Sequence, residues 1–462
     1  MAENKAIPLE LGTEKIGSLL MKYAGPAIIA MTASSLYNMI DSIFIGHGVG
    51  PLAISGLAVT FPLMNLSAAF GTLVGVGAST IMSVLLGQKN YEVANKVLGN
   101  VVVLNTVIGL IFMGVALMFL DPILYFFGAS ENTIVYAREY MQVILLGNVV
   151  THLYLGLNNL VRASGNPKMA MVLTILTVIL NVIFAPIFIF ALNMGIRGAA
   201  LATVIAQMVA LVIILFYFSD SRKLLHFRKG IFRMDIRIAK DSLSIGLAPF
   251  LMNSAACLVT LFINQQLKSY SGDLAIGAYG IVNRISFLFI MINMGLNQGM
   301  QPIAGYNYGA RKYSRVREVY MKTVKYATFV ALAGFIVSIA IPHAAVSVFT
   351  SDPQLIDLAA KGLVLINLML PLVGFQMVTS NLFQCLGMIN KSIILSMSRQ
   401  LLFLLPMLYV LPMFLDSKGI WISFPIADFL SSLLTFIMLL GLMKKLKMLK
   451  DGDDPSILGS KL

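Results

Sequence analysis

Ser34-Ser35-Leu36-Tyr37-Asn38-Met39-Ile40-Asp41-Ser42 sets a carboxylate inside the first long hydrophobic run of the chain. At helical spacing Ser34, Tyr37, Asn38 and Asp41 fall on one face, three or four residues apart, so the acid ends a polar stripe instead of standing alone in hydrocarbon. An ionised acid in a bilayer core is costly unless it is paired, hydrated or protonated, which makes Asp41 a candidate for an ion or substrate path. The competing reading is a carboxylate at the helix end: Gly46, His47, Gly48 and Gly50 follow within about two turns, close enough for the side chain to reach headgroups.

The runs around this stretch decide the class. Of 462 residues 58% are hydrophobic and only 11% charged, against roughly a quarter charged in a soluble domain. Val97 to Leu120, Tyr140 to Val161, Met169 to Ile196, Ser242 to Leu267 and Tyr326 to Ser351 are long and uncharged, and about twenty apolar residues cross a bilayer as a helix. They lack the period-two alternation of a membrane barrel. The expected fold is therefore all-α, a polytopic membrane protein. Charges taken as boundaries give twelve transmembrane helices, with the lobes and tails divided as 1–218, a basic cytoplasmic linker 219–241, 242–446, and a tail 447–462 that reads as disordered.

Lys and Arg gather in every second connection and in the tails: Lys89 and Lys96, Arg162 and Lys168, the stretch from Arg222 to Lys240, then Arg311 to Lys325, Lys391 and Lys444 to Lys450. The positive-inside rule places both termini in the cytoplasm. Glu3, Glu10 and Glu14 interrupt the start, so no cleavable signal peptide is expected. The net charge of +13 is assigned to this topology and not to nucleic acid, and the basic linker is expected to lie on anionic headgroups. Cys257 and Cys385 stand apart in apolar segments without metal-ligand spacing, and no HExxH, GxSxG or paired-acid constellation points to an enzyme. His152 reads as a hydrogen-bonded core residue, since no acid lies one turn away on its helix.

The halves repeat. Gly87-Gln88-Lys89-Asn90-Tyr91 and Gly309-Ala310-Arg311-Lys312-Tyr313 share Gly-x-basic-x-Tyr at an offset of 222, as do Arg162-Ala163-Ser164-Gly165 and Gln384-Cys385-Leu386-Gly387. Six spans per copy predict two lobes related by a pseudo-two-fold axis along the membrane normal, with a central cleft between them. The second lobe has its own charges. Arg284 and Asp428 lie roughly 13 to 15 Å from the outer face and Arg399 roughly 12 Å from the inner one, at 1.5 Å per residue in a ~30 Å core. Those depths allow Asp428 to pair with either arginine, and the arginine left over to meet an anionic group.

Leu36 to Gly46, Gly75-Val76-Gly77-Ala78-Ser79, Arg162-Ala163-Ser164-Gly165-Asn166-Pro167-Lys168, Leu180-Asn181-Val182-Ile183-Phe184-Ala185-Pro186, Gly195 to Thr203 and Gln301 to Gly309 together resemble the MATE family of multidrug and toxic compound extrusion transporters, in its bacterial branch with the DinF-like and MepA-like pumps. The resemblance covers nearly the whole chain. It implies two lobes in a V shape, a monomer in the bacterial inner membrane, and efflux of organic, often cationic and amphipathic compounds in exchange for protons or sodium, without a cofactor. Carried over position by position, Asp41 is the coupling carboxylate, with Tyr37, Asn158, Asn181 and Thr203 lining the same pocket; Ser34 and Asn38, from the polar stripe on the Asp41 face, are further candidates for its lining. Ala185 stands where many relatives have a second acid, and the second lobe lacks the acidic cation site of the sodium-driven branch. A lone carboxylate suits a proton, which needs one acid, better than sodium, which wants several oxygens; sodium stays open. The alternative function is a lipid-linked precursor flippase of the same superfamily, suggested by Arg284 and Arg399.

Overall fold

The computed structural model describes residues 10–228, 230–271 and 273–458. Lipid offers the backbone no hydrogen bonds, so apolar runs of this length satisfy their amides internally as helices. Eleven described helices are long and apolar enough to cross a membrane, and a bent pair, Ile134–Leu146 and Asn148–Ala163, makes a twelfth span with a 56° break. The first copy consists of α1 (Ile16–Gly48), α2 (Pro51–Gly87), α3 (Tyr91–Met118), the pair α4 (Ile134–Leu146) and α5 (Asn148–Ala163), α6 (Pro167–Pro186) and α7 (Gly195–Ser219). The second consists of α8 (Ile236–Ser271), α9 (Asp273–Gly309), α10 (Tyr313–Ala340), α11 (Pro353–Ile366), α12 (Leu370–Cys385), α13 (Ile389–Met397) and α14 (Pro412–Met448).

The repeated motifs have a local physical meaning. In Gly-x-basic-x-Tyr the basic residue takes the left-handed conformation that turns the chain, with φ 61° at Lys89 and 56° at Arg311. In Arg162-Ala163-Ser164-Gly165-Asn166-Pro167, Gly165 (φ 97°) closes α5. The Asn166 side chain then accepts from the Met169 amide at 3.3 Å to cap α6, and Pro167 starts it. Sites of irregular helix follow prolines or precede them: π-helical turns run over Ile187–Ala191 after Pro186 and over Ser398–Leu404 before Pro406.

The chain folds into two compact units. One is built mainly from Ile29–Phe250, the other from Glu14–Ile28 and the chain beyond Leu251. By contact, the divisions between these units fall inside α1 and α8, just after Pro26 and Pro249. The reason lies in close helix contacts. In the first unit α8 crosses α2 so tightly that a Cβ on Gly77 would stand 1.8 Å from the Ser242 carbonyl oxygen, and one on Gly246 1.7 Å from that of Leu73. In the second unit the start of α1 makes the equivalent crossing on α9, where a Cβ on Gly299 would stand 2.5 Å from Ala24 Cα and one on Gly295 2.6 Å from Ile28 Cγ1.

This contact makes a direct prediction. Gly77→Ala is expected to destabilise the protein by about 1–3 kcal/mol, because backbone must shift. Gly114→Ala on α3, where a Cβ meets open space, should be neutral or mildly stabilising. Thermal unfolding of both variants in detergent checks it, and equal Tm values would contradict the tight crossing.

The basic linker is tied to α3: Asn95 Nδ2 donates to the Leu224 carbonyl at 3.2 Å, and Asn95 Oδ1 accepts from the His226 amide at 3.0 Å. The Asp235 amide donates to Asn100 Oδ1 at 3.0 Å, and Leu225 and Ile231 are buried. Helix α14 runs on to Met448, and the chain after it folds back through turns into a short 3-10 helix, Pro455–Leu458. Residues 459–462 lie outside the described residues.

Candidate functional site

Asp41 lies on α1 of the first unit with 5% of its surface exposed. Its Oδ1 is buried, and the carboxylate makes no hydrogen bond or ion pair among the described residues. One turn earlier on the same helix, the Tyr37 hydroxyl shares a hydrogen bond of 2.8 Å with Thr203 Oγ1 of α7. Asn181 of α6 ties the two together, with Nδ2 donating to Thr203 Oγ1 at 2.8 Å and to the Tyr37 hydroxyl at 3.2 Å. Tyr140 of α4, 1% exposed, is near enough to feel the charge of Asp41. The Tyr37–Asn181–Thr203 network thus joins three helices, α1, α6 and α7, one turn from the carboxylate.

Local chain geometry makes that convergence possible. The π-helical turn Ile187–Ala191 begins immediately after Pro186, one turn and a residue beyond Asn181. Helix α7 approaches it closely at Gly198, where a Cβ would stand 2.9 Å from the Phe188 backbone, and α1 does so at Gly48, 2.3 Å from Ile189 Cγ2. Ala185 is fully buried on the same helix, so no second carboxylate shares the pocket there.

Not every residue read from the sequence joins this group. Asn158 is buried on α5 but donates to Thr174 Oγ1 at 3.2 Å, a partner about two helical turns from Asn181, and so lies apart from Asp41. Ser34 is half-buried on α1, two turns from Asp41. The side chain of Asn38 lies outside the described residues. His152 is buried in the unit core beside Ser67, 3.4 Å from its Oγ, which in turn donates to Asn148 Oδ1. That chain ends on backbone, with Asn148 Nδ2 donating to the Gly109 carbonyl at 3.1 Å.

In the second unit Asp428 of α14 pairs with Arg399. The guanidinium donates from Nε to Oδ1 at 2.5 Å and from Nη2 to Oδ2 at 3.4 Å. The carboxylate is buried, while a quarter (25%) of the arginine side chain is exposed. Arg399 sits in the π-helical turn Ser398–Leu404, and Tyr279 of α9 is near enough to feel its charge. Arg284 is left over: it is exposed and has no partner among the described residues. No group of three or more His, Cys, Asp or Glu able to hold a metal occurs among the described residues.

The sequence profile of the MatE family matches residues 26–187 and 245–410, more than half of the chain, in two segments that follow the two copies. The chain belongs to the MatE family. The multidrug export protein MepA of Staphylococcus haemolyticus (strain JCSC1435) is 29% identical over 427 residues, covering 92% of this chain and 94% of that one. MepA of Staphylococcus aureus (strain MRSA252) is 28% identical over 414 residues, covering 90% and 91%. The solved structure of the MATE multidrug transporter DinF-BH in complex with a dye is similar at 38% identity and TM-score 0.86, covering 93% of this chain and 96% of that one. An outward-facing MATE family transporter of the MOP superfamily shares the fold, at TM-score 0.89 and 24% identity over 96% of this chain and all (100%) of that one.

One residue of this MatE site escaped sequence reading. Tyr140 stands between Glu139 and a long apolar run, next to Arg138, where a tyrosine reads as an interfacial anchor. The only signal for it is its position at the start of that run. What brings it inward is the separate course of α4, which leaves the line of α5 at the 56° break.

Proposed function

We propose that the protein exports amphipathic organic compounds from a bacterial cell in exchange for protons, with Asp41 as the coupling carboxylate. One observation carries the reading: a buried carboxylate with no hydrogen bond or ion pair among the described residues, one turn from a Tyr37–Asn181–Thr203 network. A carboxylate so desolvated is stabilised by taking up a proton or a cation, so its charge state follows what the solvent offers when the site is open. An acid that is paired with a fixed cation has no such freedom. The substrate class is supported by the names of the relatives, which are multidrug export proteins, and by DinF-BH, whose structure holds a dye. The grouping of Lys and Arg in alternate connections supports cytoplasmic termini and the inner membrane.

In the proposed cycle the outward-open protein releases its cargo as Asp41 takes a proton from outside. The inward-open protein then loses that proton to the cytoplasm and takes up new cargo. For a neutral cargo, moving one charge inward through 100 mV contributes about 2.3 kcal/mol, whereas a monovalent cationic cargo exchanged for one proton is driven by the pH difference alone. The protein is proposed to act as a monomer among membrane lipids and without a cofactor, both lobes being present in one chain.

Purified protein in lipid vesicles tests this with proton and sodium gradients imposed separately. A proton gradient alone is expected to drive a cationic rhodamine dye against its concentration, and a sodium gradient at equal pH to drive little. Sodium-driven transport that is indifferent to the proton gradient would assign the pocket to sodium and overturn the proton reading. Transport that needs neither gradient would sink the antiport.

A further inference from the structure

The two copies start their third span in different ways. In the first, α3 is capped by its own loop: the Asn90 side chain accepts from the Val93 amide at 3.3 Å. The matching position at an offset of 222 is Lys312, which cannot accept, and α10 has no side-chain cap from its own loop. The cap comes from the other end of the chain. Asp451 accepts from the Ser314 amide at 2.9 Å and from the Ser314 hydroxyl at 2.5 Å, the second residue of α10, where an N-cap oxygen ordinarily bonds.

The rest of the tail is fastened to the same corner. The Gly452 amide donates to the Arg311 carbonyl at 2.8 Å, and the Tyr313 hydroxyl donates to the Asp453 carbonyl at 2.8 Å. Gly452 has φ 99°, a turn that a side chain would strain. Leu449 and Leu458 are buried on either side of it. Charge agrees with contact: the acidic stretch Asp451, Asp453 and Asp454 meets a corner carrying Arg311, Lys312, Arg315 and Arg317. The linker that follows the sixth span in the first copy also binds the start of its unit's third span, through Asn95 and Asn100. The equivalents of those acceptors in the second copy are Arg317 and Lys322. Where the second copy carries cations, the tail supplies the acceptors.

We propose that residues 449–458 are an intramolecular strap whose Asp451 caps α10, replacing the side-chain cap that the second copy lacks and holding the α9–α10 corner closed. Its release frees the first turn of α10 at the cytoplasmic end of the second unit.

The full-length protein tests this with Asp451→Ala and with a chain ended after Met448. Both are expected to lower Tm in detergent by about 2–4 °C, the size of one lost cap in a domain of this length, and to speed hydrogen exchange in the first turn of α10. The deciding variant is Lys312→Asn combined with Asp451→Ala. It restores to the second copy the local cap that Asn90 gives the first, and should recover most of the lost Tm and slow that exchange again. Unchanged Tm and exchange in Asp451→Ala would overturn the proposal. So would a Tm loss that Lys312→Asn does not recover, since the tail would then act by packing and not by capping.

Discussion

Asp41→Asn is expected to lower gradient-driven efflux by roughly tenfold or more, equivalent to about 1.4 kcal/mol or more in the driven step, while leaving the protein folded. Asparagine matches the shape of the protonated acid but cannot exchange a proton, so the pocket keeps its form and loses its titration. Because Asp41 has no hydrogen bond or ion pair among the described residues, its charge has nothing to lose on removal, and burial of an unpaired charge is itself costly. Stability should therefore hold or rise. Dye retention in a drug-sensitive bacterium at matched expression reads the first effect and thermal unfolding in detergent the second. Normal efflux at wild-type expression would remove Asp41 from the coupling step, whereas a fall in efflux together with a fall in Tm would point to a structural role instead.

The second large effect is expected at the other carboxylate. Asp428→Ala leaves the guanidinium of Arg399 without its acceptor beside a buried site, and breaking such a pair from one side costs about 3–5 kcal/mol. A quarter (25%) of the Arg399 side chain is exposed, and water reaching it places the expected loss at the lower end, about 3 kcal/mol. Replacing both partners by apolar residues, Arg399→Met with Asp428→Leu, should recover much of that loss, because neither charge is then stranded. The comparison of Tm for the single and double variants checks this. A single variant as stable as the wild type would show that the pair contributes nothing, and a double variant worse than the single would show that the charges do more than satisfy each other.

These two acids illustrate how far the sequence could be read. The twelve apolar runs are legible because a bilayer imposes one length and one secondary structure on them. Asp41 is legible for the same reason, as an exception to the solvent around it. Which arginine meets Asp428 was not, because depth along a helix says nothing about rotation around it, and the π-helical turn over Ser398–Leu404 changes the rotation of Arg399. The partner of Asn158 was not legible for a related reason: its family position carries a distance along the chain, while Thr174 is brought to it by how α5 packs on α6. The tail reads as disordered from its polar, charged composition, and the basic linker as a segment lying on headgroups. Their order comes from single acceptors on a distant helix start, Asn95, Asn100 and Asp451, contacts that leave no periodic trace.

The crossing of α1 on α9 has a consequence for how the protein is made. The stretch from Glu14 to Ile28 leaves the ribosome long before the surface it packs against, around Gly295 and Gly299, is polymerised. At elongation speeds of about 5–20 residues per second, that gap lasts roughly 10–50 s. During it α1 is inserted with half of its length waiting for neighbours that do not yet exist.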